Sequence, residues 1–470
     1  MLTTKKIARS LLLTAFVAAP LMADELNIQP AARTGLAVTV YNGDLALVRD
    51  SRQVDLPSGD TDLAFADVST RLQPNTALLQ SSSGSFLVRE QVFDFDVVSQ
   101  SSLLQASVGQ EVGVVRFNPD SGKDVETRAT VLSVANGVVL EIDGRITTEI
   151  PGRLVFDALP PGVRAQPTLV ASVTTEAAGG VDADLSYLSN GLTWRADYVA
   201  ELSDDGISID LSAWATISNT TGTDFPNATL KLVAGDINRA APQPQMMRAM
   251  EMASRGPKMA ADVMQESLAA FHLYAIEKPV TLADRQTKQL ALLSANNVIV
   301  RTDLVSRGDV FATRGPMMGQ QRTTQATRSL VFENTVDEGL GTPLPAGTVR
   351  VYGQDSTGAL QLLGEDGVGH TPTGQEVQFT LGRDFDVTVV REQLEFLRAS
   401  DRITISSSRM TVSNAKDLPV TVRLVEGLQG DWEIVEESAP HSKVLGQAEW
   451  TVEVPAGGDV QVEYRVRVRF

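Results

Sequence analysis

Alternation of apolar and polar residues at period two constrains the fold of this 470-residue chain more than any other feature. Three consecutive stretches, residues 192–202, 207–217 and 228–234, place apolar side chains at every second position, with turn-forming residues at 204–206 and 219–222 between them. Because successive strand side chains point to opposite faces, each stretch is predicted to be a half-buried β-strand. Together they predict an antiparallel meander with one apolar face.

The same pattern, interrupted by turn chemistry, recurs along most of the chain and predicts an all-β protein built from several antiparallel β-sandwiches. A length of 470 residues suits about three domains. The predicted parts are a signal peptide (1–23), an N-terminal β-region (24–108), a small β-barrel-like module (109–160), a central β-sandwich (161–328) and a C-terminal immunoglobulin-like β-sandwich (329–470).

The small module at 109–160 consists of short apolar runs separated by turn residues, among them Asn136-Gly137 and Asp143-Gly144. About five strands in so short a segment fit an SH3-like barrel, which closes its own edges. The same strands could equally belong to one larger sheet, since strand order cannot be read from local pattern. Both interpretations stay open at this point.

Several separated motifs carry a family resemblance. They occur in order along the chain, at residues 187–198, 226–236, 272–282, 286–290, 414–422 and 454–458. Together they resemble a bacterial family of unknown function typified by the mucoidy inhibitor A-like proteins, over residues 167–470 and more weakly from Gly35. The resemblance implies a β-rich, exported protein of undefined biochemistry, and it carries no catalytic residue to this chain.

The first residues predict export. Lys5, Lys6 and Arg9 precede a short apolar run at 11–21, and small residues allow cleavage after Ala23. We therefore expect a periplasmic or secreted bacterial protein, with an uncleaved N-terminal anchor as the alternative. No later apolar run approaches the roughly 18 residues of a membrane helix, so no transmembrane segment is expected after cleavage.

Charge and cysteine content exclude several classes of protein. The formal net charge is −18, which disfavours binding to nucleic acid, because phosphate neutralisation needs clustered Lys and Arg. The chain has no cysteine, which excludes disulfides, thioether lipid anchors and thiolate metal sites. Stability in an exported protein of this kind has to come from a large apolar core.

A methionine-rich segment at 239–266 breaks the strand pattern with six methionines and several Pro and Gly residues. We predict a mobile hairpin loop there, because long segments without alternation are typically functional loops or disordered. Two alternatives stay open: an adaptable partner-binding surface formed by the thioethers, and a site for Cu(I), which prefers soft sulfur ligands.

Two tryptophans within the alternating strand runs also allow two interpretations. Trp194 and Trp214 are predicted to pack within or against sheets, with a ligand platform as the alternative. Near the C-terminus, the alternating run 460–470 predicts a last strand whose Tyr464 and Phe470 lie in the core of the C-terminal sandwich.

The polar residues do not occur at sequence spacings typical of catalytic or metal sites. The three histidines, His272, His370 and His441, share no ligand spacing. Residues at i and i+2 of a strand share a face, so Asp94 and Asp96 could chelate calcium or act as a glycosidase pair. In an acidic chain such pairs also arise by chance, as at 182/184, 204/205 and 384/386. We predict no catalytic site, no metal site and no cofactor.

These observations favour a soluble, exported cell-envelope protein that binds or scaffolds an envelope protein or polysaccharide through its β-sandwiches and is not an enzyme. The alternative is a hydrolase that cleaves envelope polysaccharide with paired carboxylates. The pattern specifies no binding residue, ligand, partner or oligomeric state.

Overall fold

The structure, a computed structural model, describes residues 25–81, 86–94, 97–119, 121–160, 162–235, 265–268, 271–317 and 319–470. The predicted signal peptide (1–23) lies outside these residues, as does the methionine-rich segment (239–266) except for its last two residues. The described chain is built almost wholly from strands, which confirms the all-β class. None of its described helices has the length and apolar character needed to cross a membrane.

The described residues form thirty-one strands, one α-helix and two short 3₁₀-helices, Pro30–Ala32 and Pro74–Thr76. The first elements are β1 (Glu25–Ile28), β2 (Arg33–Tyr41), β3 (Leu45–Leu56), β4 (Gly59–Ala66), β5 (Leu78–Ser81), β6 (Leu87–Asp94), α1 (Gln100–Ala106), β7 (Glu111–Asn118), β8 (Lys123–Ser133), β9 (Val139–Ile142), β10 (Arg145–Thr147) and β11 (Arg153–Val155). Next come β12 (Thr168–Thr175), β13 (Gly179–Ser189), β14 (Leu192–Leu202), β15 (Ser208–Asn219), β16 (Phe225–Ala234), β17 (Gln265–Leu268), β18 (Phe271–Ala275), β19 (Val280–Leu282), β20 (Gln286–Ile299) and β21 (Arg301–Arg307). The last are β22 (Gln321–Glu333), β23 (Gly347–Gln354), β24 (Leu360–Val368), β25 (Glu376–Ser400), β26 (Ile403–Asn414), β27 (Val420–Glu426), β28 (Asp431–Glu437), β29 (Ser442–Val444), β30 (Gln447–Val454) and β31 (Asp459–Arg469).

Two compact units divide these elements. The first comprises the chain up to residue 37 together with 47–190 and 221–225, and the second comprises 38–46, 191–220 and 226–470. In the first unit, β1, β4, β12 and β6 form a four-stranded sheet in that order, with β1 parallel to β4 and β12 antiparallel to both neighbours. The domain boundaries expected from the sequence stay a prediction.

A separate five-stranded sheet lies within the predicted 109–160 module of the first unit. Its order is β10-β9-β8-β7-β11, and it has its own core, to which Leu104 of α1 contributes beside Val114, Val131 and Leu140. Ser99 caps α1 through a capping box with Ser102. The strand order is an open path, so the sheet is neither the closed SH3-like barrel nor part of a larger sheet.

The second unit contains the alternating stretch that dominates the sequence. β14 and β15 pair antiparallel along their whole length, and the five-stranded sheet runs β20-β15-β14-β23-β24, with β23 parallel to β14. The third strand of the expected meander, β16, instead pairs with β18 in another sheet. The meander prediction was wrong at this strand because β20 occupies the free edge of β15.

Nine strands form the C-terminal sheet, in the order β28-β31-β26-β25-β22-β21-β27-β30-β29. Trp450 on β30 and Tyr464 on β31 lie with ring centroids 4.8 Å apart, although five strands separate them in that order. The sheet therefore curls around a shared core. Its buried side chains include Leu304, Ala326, Val389, Val412, Leu424, Trp450, Val462 and Val466. An immunoglobulin-like topology for this region stays a prediction.

The end of the chain corrects one expectation. Tyr464 is buried in the core, as predicted, but Phe470 is 45% exposed and its ring lies 5.6 Å from the guanidinium of Arg314. Val466 and Val468 fill the inward positions of β31, which ends at Arg469. Phe470 therefore follows the last paired residue and lies outside the core.

Candidate functional site

The inward face of the C-terminal sheet changes from apolar to polar towards one end. On β25, Val389 is followed at period two by Arg391 and Gln393, and on β26 the apolar Met410 is followed in the opposite direction by Ser408. Because alternate strand residues share a face, these polar side chains continue the rows that form the core. Polar groups at inward positions are costly unless they are paired, so this end of the sheet calls for a specific explanation.

A cavity of about 330 Å³ opens at this polar end, and we call it the polar pocket. Its volume falls at the small end of the range of ligand-binding cavities in proteins. Thirteen residues line it: Asp309, Ala312, Met317, Gln320, Gln321, Arg322, Arg391, Glu392, Gln393, Ser408, Met410, Glu426 and Tyr464.

Arg391 is bonded to three other residues at the polar pocket. Its Nε donates to Oε1 of Glu426 at 2.7 Å, and its Nη atoms donate to Oγ and the carbonyl of Ser306 at 2.8 and 2.9 Å and to Oγ1 of Thr324 at 3.3 Å. The side chains of Arg391 and Glu426 are only 14% and 4% exposed. Charge-assisted hydrogen bonds of this kind are strong, and they offset part of the cost of burying both charges.

Glu426 lies at the end of β27 and is enclosed from several directions. The hydroxyl of Tyr464 donates to its Oε2 at 3.5 Å. A Cβ atom on Gly308 would lie only 2.1 Å from the same oxygen, so the chain passes the carboxylate at a distance that only glycine allows. Burial raises the pKa of Glu426 above its ordinary value, and the neighbouring Arg391 only partly counteracts this effect.

The segment between β21 and β22, residues 308–317, is tied to the sheet beside the polar pocket, and we call it the cover loop. The side-chain amide of Gln393 donates to the carbonyls of Ala312 and Gly315 at 3.2 and 3.3 Å. Its carbonyl oxygen accepts from the backbone N–H of Met317. One inward-facing glutamine of β25 therefore fixes three points of the loop, which gives the pocket a defined rim.

A second ion pair lies at this rim. Asp309 accepts from the backbone N–H of Phe311 at 3.0 Å and from Nη1 of Arg322 at 2.8 Å. These bonds hold the pKa of Asp309 below its ordinary value. The charges of Asp309 and Arg322 thus neutralise each other, as do those of Glu426 and Arg391. The pKa of Asp309 is lowered, whereas that of Glu426 is raised.

The three histidines lie away from the polar pocket. His441 pairs with Glu437 at 2.9 Å. The Nδ1 atom of His370 accepts from the backbone N–H of Ala346 at 3.1 Å. Burial lowers the pKa of His272, and the charge of His370 lowers it further. Within the described ranges, no group of three or more His, Asp or Glu is placed to hold a metal ion.

Three carboxylates from the pairs noted in the sequence, Asp94, Asp184 and Asp384, take part in ordinary ion pairs. Asp94 accepts from Nε of Arg164 at 3.0 Å, while its partner Asp96 lies outside the described residues. Asp384 accepts from Nζ of Lys416 at 2.6 Å. None of these pairs lines the polar pocket.

Sequence reasoning missed Arg391 and Glu426, which are 35 residues apart and lie on different strands. The one available signal is a charged residue at an inward position of an otherwise apolar alternation, as in the run from Val387 to Gln393. That signal marks a polar end of the sheet but does not identify the partner across the core.

Comparison with known proteins identifies a family for most of this region. No curated protein matches the chain. The family described as "Domain of unknown function (DUF4139)" matches residues 183–470, which include every residue that lines the polar pocket. The match covers more than half of the chain, and the chain therefore belongs to this family of unknown function, DUF4139.

Proposed function

We propose that this chain is a non-enzymatic binding protein of the bacterial cell envelope, and that its polar pocket holds a small uncharged ligand rich in hydroxyl and amide groups. The observation that carries the proposal is the cavity of about 330 Å³ at the polar end of the C-terminal sheet. A concave site with a few converging polar groups is the usual form of a small-molecule site.

The charges of the lining residues favour an uncharged ligand. Arg391 is paired with Glu426, and Arg322 with Asp309, so neither cation is left to neutralise an anionic ligand. Apart from Glu392, whose carboxylate lies 3.9 Å from the guanidinium of Arg409, the remaining polar lining consists of amides and hydroxyls, which both donate and accept hydrogen bonds. Those groups belong to Gln320, Gln321, Gln393, Ser408 and Tyr464. An N-acetylated sugar carries the complementary groups and has a suitable size.

Binding is favoured over catalysis by the surroundings of Glu426. A general acid or base has to reach the proton that it transfers, within hydrogen-bond distance or through one water. Both oxygens of Glu426 already face protein groups: Oε1 meets Arg391, and Oε2 meets Tyr464 and the Gly308 backbone. This carboxyl group therefore acts as an internal partner of Arg391.

The hydrolase alternative has one observation in its favour. In glycosidases, one carboxyl group has a raised pKa and acts as the acid, while a second carboxyl group beside the same cavity stays ionised and acts as the base or nucleophile. Glu426 has a raised pKa and Asp309 a lowered one. Release of reducing ends from an envelope polysaccharide, lost in both Glu426→Gln and Asp309→Asn, would establish this alternative and overturn the binding proposal.

The binding proposal is tested by the thermal stability of the full chain in the presence of neutral sugars. We expect N-acetylglucosamine or a related N-acetylated sugar to raise the Tm of the wild-type chain, because a ligand that binds only the folded state stabilises it. The increase should be lost in Gln321→Leu, at the pocket, and kept in Gln461→Leu, a matched exposed glutamine on β31. Absence of any increase, or an undiminished increase in Gln321→Leu, would contradict the proposal.

We further propose that the protein is exported and belongs to the mucoidy inhibitor A-like group. The basic residues before the apolar run at 11–21 and the small residues at 21–23 support cleavage after Ala23. Sequencing the N-terminus of the protein recovered from a periplasmic extract should read Asp24 first. Recovery only from the cytoplasm, with Met1 retained, would contradict it.

A further inference from the structure

Trp214 differs from the other tryptophans in its exposure. The chain has four, and Trp194, Trp432 and Trp450 are 3%, 7% and 0% exposed, whereas Trp214 is 40% exposed. Trp194 faces inward on β14, where its indole N–H donates to the carbonyl of Val233 at 3.1 Å. Trp214 lies on the opposite face of the five-stranded sheet, so the two tryptophans singled out in the sequence have different surroundings.

One residue from each of the five strands lies in register with Trp214 across that open face. This row, which we call the Trp214 row, consists of Ala291 on β20, Trp214 on β15, Asp197 on β14, Thr348 on β23 and Gly367 on β24. Four steps between neighbouring strands span roughly 19 Å. Apart from Trp214, the row carries only short side chains, so a long ligand could lie along it, across the strands.

The rows on both sides contribute longer polar side chains. On one side Gln289, Thr216 and Arg195 lie in register, and on the other Arg350 lies opposite Glu365. Gln289 donates to Thr216 at 3.1 Å, and Arg350 pairs with Glu365 at 2.8 Å. The Trp214 row is thus a shallow channel with hydrogen-bonding walls.

Asp197 connects the channel to both walls. Its carboxylate accepts from the hydroxyl of Thr216 at 2.5 Å and lies 3.3 Å from Nε of Arg195 and 3.6 Å from Nη1 of Arg350. The Asp197 side chain is 10% exposed, although it lies on the open face of the sheet. Such a network holds its members in fixed orientations before any ligand arrives.

The backbone beside Trp214 is also irregular. The register between β15 and β20 shifts between Ala213 and Trp214, so that Leu292 on β20 is left over as an extra residue. Such β-bulges bend the strand and redirect side chains, and they are frequent beside functional sites. The bulge is an independent observation that sets Trp214 apart from a regular sheet-packing position.

We infer that the Trp214 row is a binding site for a neutral polysaccharide chain, which would lie across the strands with one sugar ring against the indole. The apolar C–H face of a pyranose packs on an aromatic ring, and its hydroxyls bond to carboxylate, guanidinium and amide groups. Two cations (Arg195, Arg350) and two carboxylates (Asp197, Glu365) border the channel, so its local charge is balanced. A balanced site in a chain of net charge −18 suits a neutral polymer and disfavours an acidic one. The site is separate from the polar pocket and does not depend on it.

Electrophoresis of the full chain in native gels that contain hydroxyethylcellulose, dextran or laminarin tests the inference, with alginate as the acidic polymer. We expect retardation by at least one of the three neutral polymers, roughly tenfold weaker apparent binding for Trp214→Ala, and unchanged binding for Phe385→Ala. Phe385 is a matched control, because it is 83% exposed and belongs to the C-terminal sheet.

A second measurement needs no variant. Because Trp214 is the one tryptophan with substantial exposure, acrylamide quenching of the wild-type fluorescence reports mainly on it. The retarding polymer should protect this fluorescence from quenching. Four results would each overturn the site. They are undiminished retardation of Trp214→Ala, retardation by alginate alone, no retardation by any neutral polymer, and fluorescence that the polymer does not protect from quenching. Gln321→Leu should leave retardation intact, which separates this site from the polar pocket.

Discussion

Arg391 on β25 and Glu426 on β27 face each other across the interior of the C-terminal sheet, with Nε and Oε1 2.7 Å apart. Two strands, β22 and β21, lie between β25 and β27 in the sheet order. The curl of the sheet is what brings the two charges into contact. This ion pair forms one wall of the polar pocket and ends the apolar core on that side.

Removing one partner of this pair should lower the free energy of unfolding far more than removing both. Arg391→Met leaves a buried carboxylate without its cation, and we expect a loss of about 3–5 kcal/mol in the free energy of unfolding. The double variant Arg391→Met/Glu426→Gln should recover a substantial part of that loss, because no uncompensated charge remains. Denaturant unfolding of the three proteins measures the difference. Equal losses for the single and double variants would show that the pair is not coupled.

Glu426 should make stability depend on pH. Burial raises its pKa in the folded protein above the ordinary value of about 4.5. Just above that pH the folded state retains a proton that the unfolded state has released, so stability falls as pH rises through this window. Glu426→Gln removes the effect, and its Tm relative to wild type should increase from pH 4.5 upwards. A relative Tm that instead decreases over this range would mean that the pKa is lowered.

Gly308 should tolerate no side chain. A Cβ there would lie 2.1 Å from Oε2 of Glu426, which Arg391 and Tyr464 hold in place. We expect Gly308→Ala to cost about 1–3 kcal/mol, since overpacking forces shifts in the surrounding side chains. The matched control is Gly315→Ala in the same cover loop, where a Cβ meets nothing within 4 Å. Similar Tm values for the two variants would contradict this account.

Trp450 should be the largest single contributor to the C-terminal core. It is fully buried, and its indole N–H donates to the carbonyl of Ala439 at 3.1 Å and to Oε2 of Glu437 at 3.2 Å. Trp450→Ala should therefore cost about 3–5 kcal/mol. The exposed Phe385 provides the comparison, because its change to alanine should stay within about 0.5 kcal/mol. A loss below about 1 kcal/mol for Trp450→Ala would contradict the packing described here.

The last residues of the chain should contribute unequally to the stability of the fold. Deleting Phe470 alone removes a half-exposed ring that packs against Arg314, and we expect a Tm close to that of wild type. Deleting 464–470 removes the inward-facing Tyr464, Val466 and Val468 and unpairs the edges of β26 and β28. That protein should fail to fold cooperatively. Circular dichroism melting curves distinguish the two outcomes, and a cooperative transition in the longer deletion would overturn the prediction.

Several strands follow directly from the sequence. The period-two runs at 192–202 and 207–217 became β14 and β15 almost residue for residue, because alternation is a local property of a strand that has one buried face. β25 runs as one strand from Glu376 to Ser400, although Gly382 lies within it. Register shifts near Gly382 absorb the irregularity there without ending the strand.

Strand partners did not follow from the sequence. β16 has the alternation expected of the third strand of a meander, yet it pairs with β18, while β20 takes the edge of β15. The strands β23 and β24 lie within the stretch predicted to form the C-terminal sandwich, but they belong to the sheet of β14. Backbone hydrogen-bonding groups are the same at every residue, so an edge accepts any strand that the rest of the chain delivers to it.

The sequence by itself determined the all-β class, the position of most strands and which face of each is apolar. Only the tertiary structure decided that Arg391 meets Glu426, that Trp194 is buried while Trp214 is open to solvent, and that a polar pocket remains where the core ends. The physical reason is that periodicity records the burial of each face, which is local. Sites arise where strands distant in sequence meet, and that depends on the pairing and curvature of the whole sheet.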